Sequence, residues 1–338
     1  MPTVADVARA AGVGAITVSR FVNGTSYVSA EKKKKIQAAI NKLGYRPNLA
    51  ARILKGRRAK VIGLIIPDLS DPFFAKCASA IENYAYTRGY MTLIVTSKRT
   101  QDIQENETAM LMGQQIAGLI VTPSHSHERL LDVVQGSVPI VALDRPLEGI
   151  ISDEVVVENL GGAQTAVGHL IWHGHKRIAC VGYDKNYYSI SQRILGYTTT
   201  MQGARLKPDL YVDAYSIEDT VKIVRQWKKA RDRPTAIFAL NNVSTRHLLE
   251  ALRMVDLPIP EKMALVGFDD FELAGLLSPS LTVVRQPATG LGMQAARILF
   301  ERIDAGDQQE TSFGVKLVLP VEFVIRNSCG CSGASKGI

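Results

Sequence analysis

A chain of 338 residues with 46% hydrophobic content is too long for one ordinary core and too apolar for wholesale disorder, so two or three packed units are expected. Its longest strand-like apolar run, Val61-Ile62-Gly63-Leu64-Ile65-Ile66, falls far short of the roughly 20 residues of a membrane helix. The formal net charge of +8 is unevenly placed: residues 1–60 hold 13 Lys or Arg against two acids, Asp6 and Glu31, whereas the remaining 278 hold 27 against 30. A basic head on a nearly neutral body is the electrostatic footprint of a polyanion binder, and a merely solubilising basic face would need no boundary near residue 60.

In the head, Thr3-Val4-Ala5-Asp6 sets a hydroxyl three residues before an acid, a variant of the capping box. Val4, Val7, Ala8 and Ala11 then recur at helical spacing, and Gly12 supplies the positive φ that ends the helix in a tight turn. A second helix is predicted from Gly14 to Val22, with Val18 and Phe21 or Val22 inward, Ala15, Ile16, Thr17, Ser19 and Arg20 outward, and Asn23-Gly24 closing it. Two short helices about a glycine turn form a helix-turn-helix, whose second helix enters the major groove with its N-terminal residues against base edges. Ala15 and Ile16 suit thymine methyls, Arg20 suits either a guanine edge or a phosphate, and Thr17 and Ser19 suit phosphates or caps. From Thr3 onward the chain reads as an amphipathic helix rather than an export leader, so the cytoplasm is the expected compartment.

Ser29 is predicted to cap a third helix to Leu43, ended by Gly44, whose Lys32-Lys33-Lys34-Lys35 run reads mainly as a solvated face. After Tyr45-Arg46-Pro47, the segment from Asn48 to Gly56 has the length of about two helical turns, too short to be stable alone in water, so it should order only against a partner or DNA.

From Lys60 onward, β-branched runs alternate with amphipathic stretches. Strands are predicted at 61–66, 91–96, 118–122, 139–143, 177–182, 236–240 and 264–268; helices include 73–88, 164–172, 191–203, 242–254 and 290–303. Such alternation argues for parallel sheets covered by helices, with ligands beyond the carboxyl ends of the strands. Those ends carry Asp68, Ser70, Asp71, Phe73 and Phe74; Asp144 and Arg145; Ser189 and Arg193; Asn241 and Asn242; and Asp269 and Asp270. Carboxylates, amides and aromatic faces in this mixture suit a hydroxyl-rich ligand.

Asp6-Val7-Ala8, Ala11-Gly12-Val13, Thr17-Val18-Ser19-Arg20, Asn23-Gly24 and Leu43-Gly44-Tyr45-Arg46-Pro47-Asn48 closely resemble the LacI/GalR (lactose-repressor) family. In the body, Val61-Ile62-Gly63-Leu64-Ile65, Gly174-His175-Lys176-Arg177-Ile178-Ala179, Arg193 before Gly196-Tyr197, Val266-Gly267-Phe268-Asp269-Asp270 and Leu281-Thr282-Val283-Val284-Arg285-Gln286-Pro287 match its recurring stretches in order. The resemblance implies an N-terminal all-α helix-turn-helix domain followed by an α/β, two-lobed, periplasmic-binding-protein-like (type I) domain, with three crossover strands and an effector in the cleft. It further implies a homodimer on pseudo-palindromic double-stranded operator DNA, with paired hinge helices pushing Leu54, beside Ala51, into the minor groove; the plainer reading of Leu54 is linker packing. The DNA-facing candidates are accordingly Thr3, Ala15, Ile16, Thr17, Ser19, Arg20, Asn23, Asn48, Ala51 and Leu54. Carried over position by position, the effector contacts are Phe73, Phe74, Asp144, Ser189, Arg193, Asn241, Asp269 and Gln286.

The expected organisation is a head over 1–46, a hinge helix and linker over 47–59, an effector-binding and dimerisation domain over 60–327 and a flexible tail over 328–338. Within the domain, one lobe takes 60–158 and 288–316 and the other 159–287 and 317–327. Where sugar- or purine-binding members place a stacking aromatic near 217, this chain has Tyr215-Ser216-Ile217-Glu218, so stacking is either lost or supplied by Tyr215 or Phe74.

Other signals read more plainly. Cys77 and Cys180 suit small core positions, and Cys329-Gly330-Cys331 lies in a Gly- and Ser-rich stretch that reads as a frayed end, since a lone Cys-X-Cys supplies only two ligands. His169 and His173 sit among apolar neighbours and His175 in a turn, so no metal is expected. Gly161-Gly162 lacks dinucleotide-loop spacing, and Ser124, His125 and His127 lack a nucleophile elbow, so neither a cofactor nor catalysis is expected. The function expected is a repressor of carbohydrate-related genes switched by a sugar, sugar acid or sugar phosphate, with Arg193 leaning towards an acidic one although a neutral sugar uses arginine equally well. The alternatives are a purine- or protein-co-regulated repressor of the same family and, more remotely, a sugar-modifying enzyme. The tail shows no leucine heptad, which favours a dimer over a tetramer.

Overall fold

The computed structural model describes residues 2–23, 27–45, 59–98, 100–124, 138–147, 149, 152–306 and 314–331, so the hinge candidates Asn48, Ala51 and Leu54 lie outside the described residues. The chain divides into two compact units, Met1–Ala59 and Lys60–Ile338.

In the first unit, α1 (Val4–Ala11), α2 (Ala15–Asn23) and α3 (Ala30–Leu43) enclose a small core of Val7, Ala8, Ala11, Val18, Val28, Ile36, Ala39 and Tyr45. The capping box forms in full: the Thr3 Oγ1 accepts from the Asp6 N–H, and the Asp6 carboxylate accepts from the Thr3 N–H at 2.9 Å. Gly12, at φ +66°, turns α1 into α2 and sends its N–H back to the Ala8 carbonyl. Ser29 precedes α3 but makes no side-chain capping hydrogen bond, a correction to its expected role.

The second unit has two parallel-stranded sheets. The first, ordered β11-β5-β4-β3-β1-β2, comprises β1 (Val61–Ile66), β2 (Met91–Thr96), β3 (Leu119–Val121), β4 (Ile140–Leu143), β5 (Asp153–Val157) and β11 (Lys316–Leu319). The second, ordered β12-β10-β9-β8-β6-β7, comprises β6 (Ile178–Val181), β7 (Asp209–Tyr211), β8 (Ala236–Ala239), β9 (Ala264–Phe268), β10 (Thr282–Arg285) and β12 (Glu322–Val324), with β12 antiparallel to its neighbour. On one face of the first sheet lie α4 (Pro72–Thr87) and α10 (Ala288–Ala305); α5 (Gln101–Gly113) packs against β1 and β2. The second sheet packs α6 (Asn159–Trp172) and α7 (Tyr188–Gly203) on one side, and α8 (Ile217–Lys229) and α9 (Asn242–Val255) on the other. Covering both faces is why central strands such as β6 and β8 are apolar at every position rather than at alternate ones.

Two boundaries differ from the sequence reading. β11 pairs with β5 from Lys316↔Glu154 to Leu319↔Val157, so the last passage between sheets falls at 320–321 rather than at 316. The end of the chain is also not frayed through residue 331. Ser328 Oγ donates to the Leu265 carbonyl at 2.6 Å and accepts from the Thr282 N–H at 2.8 Å, and Cys329 is buried in the core beneath α6. Short side chains that suggest a loose tail here serve close packing against a neighbouring strand.

Candidate effector cleft and DNA-facing surface

The capped α1, the glycine turn and the packing of Val18 hold α2 with one face to solvent. On that face Ala15, Ile16 and Arg20 are exposed, Ile16 at 70%, while Thr17 and Ser19 are half-buried. An isoleucine this open to water is suited to a partner that covers it. Thr3 is exposed, and its hydroxyl is already engaged with Asp6. Asn23 ends α2.

In the second unit, the carboxyl ends of the two sheets line a narrow cleft. Phe73, Phe74, Asp144, Ser189, Arg193, Asn241, Asp269 and Gln286 all line it. Each is placed by its element. Asp71 caps α4, accepting from the Phe73 N–H at 3.0 Å, and Pro72 opens the helix, which turns Phe73 and Phe74 inward as an edge-to-face pair 4.9 Å apart. Ser189 and Arg193 stand on the first turns of α7, and Asn241 caps α9, its Oδ1 accepting from the Ser244 N–H at 2.8 Å.

Asp144 and Asp269 each follow a sheet strand, β4 and β9, in the left-handed region, at φ +69° and +79°. Side chains other than glycine, asparagine or aspartate are strained there by roughly 1 kcal/mol or more, so the positions favour a short polar residue that sends its carboxylate across the strand end.

Arg193 is held from several sides within the protein. Nε donates to Asn159 Oδ1 at 2.8 Å, Nη1 to the Leu240 carbonyl at 2.7 Å, and the guanidinium lies 3.6 Å from the Phe268 ring centroid and 3.9 Å from Asp269 Oδ1. Asp269 accepts from the Asn242 N–H at 3.1 Å and from the Gln286 amide. Burial pushes the Asp269 carboxyl above the usual carboxylate range; the Arg193 charge opposes that and Asp71 reinforces it. Arg145, over the Tyr187 ring at 3.9 Å, donates to Asp144 Oδ2 at 3.2 Å and to the Pro123 carbonyl at 3.1 Å. Gln286 Oε1, at the cleft, and Asn242 Oδ1, next to the lining Asn241, are buried acceptors with no partner among the described residues.

Other lining residues were not among the effector candidates: Asp71, Arg145, Tyr183, Tyr187 and Ile190. Asp71 and Arg145 stand in strand-end runs already singled out, and Tyr183 follows β6 by the same rule, so that rule alone would have included them. Tyr215 is 59% exposed and meets the cleft only through Tyr183, whose ring lies 6.1 Å away; the aromatic surface is supplied instead by Phe73, Phe74, Tyr183 and Tyr187. His169, His173, Cys329 and Cys331, read separately in the sequence, converge elsewhere on the second sheet's helical layer.

Residues 3–48 match the family model for bacterial regulatory proteins of the lacI family, and 167–329 match a periplasmic binding protein-like domain. The HTH-type transcriptional repressor PurR of Photobacterium profundum is 31% identical over 333 residues, covering 97% of this chain and 98% of that one. A solved transcriptional regulator CelR–cellobiose complex superposes with a TM-score of 0.70 at 30% identity over 97% of this chain and 100% of that one. The lac repressor dimer bound to operator and the anti-inducer ONPF gives 0.85 at 25% identity, over 97% and 99%. With a helix-turn-helix head and a two-lobed sensor body matched over nearly its whole length, the chain belongs to the lacI family of DNA-binding transcription regulators.

Proposed function

We propose that the chain is a cytoplasmic, homodimeric, non-catalytic repressor of carbohydrate-related genes, switched by a neutral polyhydroxylated effector in the cleft. The observation that carries the effector class is the charge pattern. Asp71, Asp144 and Asp269 line the cleft with Arg145 and Arg193, and both arginines are already matched to acids. Even with Asp269 neutral, no surplus positive charge remains to meet a sugar acid or phosphate. The unpartnered acceptor Gln286 Oε1 calls for a donor, as a hydroxyl is, and the aromatic rings suit the C–H face of a sugar. The cellobiose named for the solved relative agrees in class.

An effector shifts operator affinity only as far as it favours one lobe arrangement over another. In the proposed mechanism, closing the cleft changes how the two subunits present residues 47–59, and with them the Leu54 contact in the minor groove. The two heads then read half-sites related by the dimer axis.

Thermal unfolding of the full-length chain tests the effector class. Neutral mono- and disaccharides, sugar acids, sugar phosphates and purines would be compared, since a ligand at 100 times its Kd stabilises by about 2.7 kcal/mol. The expected result is a rise in Tm with a neutral sugar. A rise confined to anionic sugars, or to purines, would overturn the assignment, the latter in favour of the PurR-like alternative.

A further inference from the structure

His169 and His173 sit one turn apart at the end of α6, so their rings share a face and lie 4.6 Å centroid to centroid. The chain end, returning from β12, brings Cys329 and Cys331 over that face. Cys331 Sγ stands 3.1 Å from His173 Nε2 and 3.6 Å from His169 Nε2, and one donor atom from each of the four residues lies within 4.8 Å of the others. We propose that His169, His173, Cys329 and Cys331 form a tetrahedral site for a divalent ion of the zinc class.

The donor set and the spacing both favour this over a chance cluster. Two imidazoles and two thiolates are the ligands a borderline-soft ion takes in closed structural sites. Bonds of about 2.0–2.3 Å imply tetrahedral edges of about 3.3–3.8 Å, so the existing contacts need close by only about 1 Å at the widest gap. The surroundings are those of a built site. Gly330, at φ +94°, makes the reversal that lets the flanking sulfurs face the same way, and its N–H is tied to the Asn327 carbonyl at 3.1 Å. The Thr282 hydroxyl lies 3.2 Å from Cys329 Sγ, placed to donate to a thiolate, and the Phe323 ring packs edge-on to His169 at 5.0 Å.

Four protein ligands leave no open position, so the ion is a clamp rather than a catalyst. It binds neutral imidazoles and displaces the two thiol protons to solvent. What it clamps is specific: the last described turn of the chain is joined to the C-terminal end of α6, whose first residue, Asn159, holds Arg193 at the cleft. The proposal does not depend on the effector's identity.

The test uses the full-length chain, prepared without a metal-affinity step. Its zinc content is measured, and the metal-free protein is titrated with Co²⁺. We expect one equivalent per chain, visible absorption of tetrahedral cobalt and a sulfur-to-cobalt charge-transfer band. Cys329→Ser with Cys331→Ser should abolish that band, and His173→Ala should weaken binding by ~10-fold or more. Circular dichroism checks that each variant folds, and His173→Ala decides alone if the double variant does not. Sub-stoichiometric binding, an unchanged band in the cysteine variant, unchanged affinity in His173→Ala, or a persistent Cys329–Cys331 disulfide with no metal would overturn the proposal.

Discussion

Asn242 Nδ2 donates to Asp71 Oδ1 at 2.7 Å, joining the first turn of α9 in one lobe to the cap of α4 in the other. Both residues are buried beside the cleft, so the bond links lobe closure to the groups an effector would touch. A second cross-lobe contact, Lys76 Nζ to Glu272 Oε1 at 2.8 Å, is exposed to solvent on both sides. Water screens such a pair, whereas the buried bond gains from the low local dielectric.

The first prediction separates these two. Asn242→Ala should lower effector affinity and cost about 1 kcal/mol of stability, while Lys76→Ala should change stability by less than about 0.5 kcal/mol and leave affinity unchanged. Chemical denaturation and ligand titration of each variant give the comparison. Equal effects would mean that the Asp71–Asn242 bond does not hold the lobes.

Asp144→Asn tests the cleft more cleanly than truncating Arg193. Asparagine tolerates the left-handed backbone at 144 and keeps an acceptor for Arg145 while removing the charge that pairs with it, so the effector response should weaken while operator binding in its absence is kept. Arg193→Ala should instead destabilise the second lobe by several kcal/mol, because it leaves Asp269 buried without its counter-charge. Calorimetry and operator titration distinguish a lost response from a lost fold.

Acid stability should report on Asp270. Burial pushes its carboxyl up, but hydrogen bonds from Arg326 and Arg285 outweigh this and hold it below the usual carboxylate range. Arg326 grips both oxygens, at 3.1 and 2.9 Å, just ahead of the chain's last described turn. A carboxyl with a depressed folded-state pKa contributes stability that is complete above its unfolded value, about 3.9, and lost as pH falls through the folded one. The Tm difference between the natural chain and Asp270→Asn should therefore be constant near neutrality and shrink below about pH 4. A difference that grows on acidification would contradict this pairing.

On the head, Thr3→Ala should cost about 1 kcal/mol through loss of the capping box. Arg20→Ala should cost about 1–3 kcal/mol on operator and little on unrelated DNA; a uniform loss would assign Arg20 to phosphate. Leu54→Ala should weaken operator binding far more than non-specific binding, and equal losses would remove the minor-groove wedge from the account.

Local patterns made the central elements readable. The β-branched runs at 61–66 and 264–268 are strands at those residues, because a strand buried on both faces must be apolar throughout. The strands that escaped include β7, β10 and β12, which span only three or four residues, β11, which alternates exposed and half-buried positions on an edge, and β5, which opens with two acids, of which the buried Asp153 pairs with Arg302 at 2.7 Å and accepts from the Val315 N–H at 2.8 Å. The cleft residues were legible because strand ends are short in sequence and close in space. Their electrostatics were not: nothing local to Arg193 shows that Asn159, Leu240 and Asp269 already surround it. The meeting of His169 with Cys331 was equally hidden, since only the return of β12 along β10 joins segments 162 residues apart.

The most direct test of the whole account is the affinity of the full-length chain for its operator, selected from a random DNA pool, with and without the sugar that raises its Tm. The account predicts enrichment of a two-fold-symmetric sequence, and an affinity changed by ~10-fold or more when the sugar is present, in the range of ordinary allosteric coupling. An asymmetric or unenriched pool, or an affinity indifferent to a sugar that demonstrably binds, would contradict it.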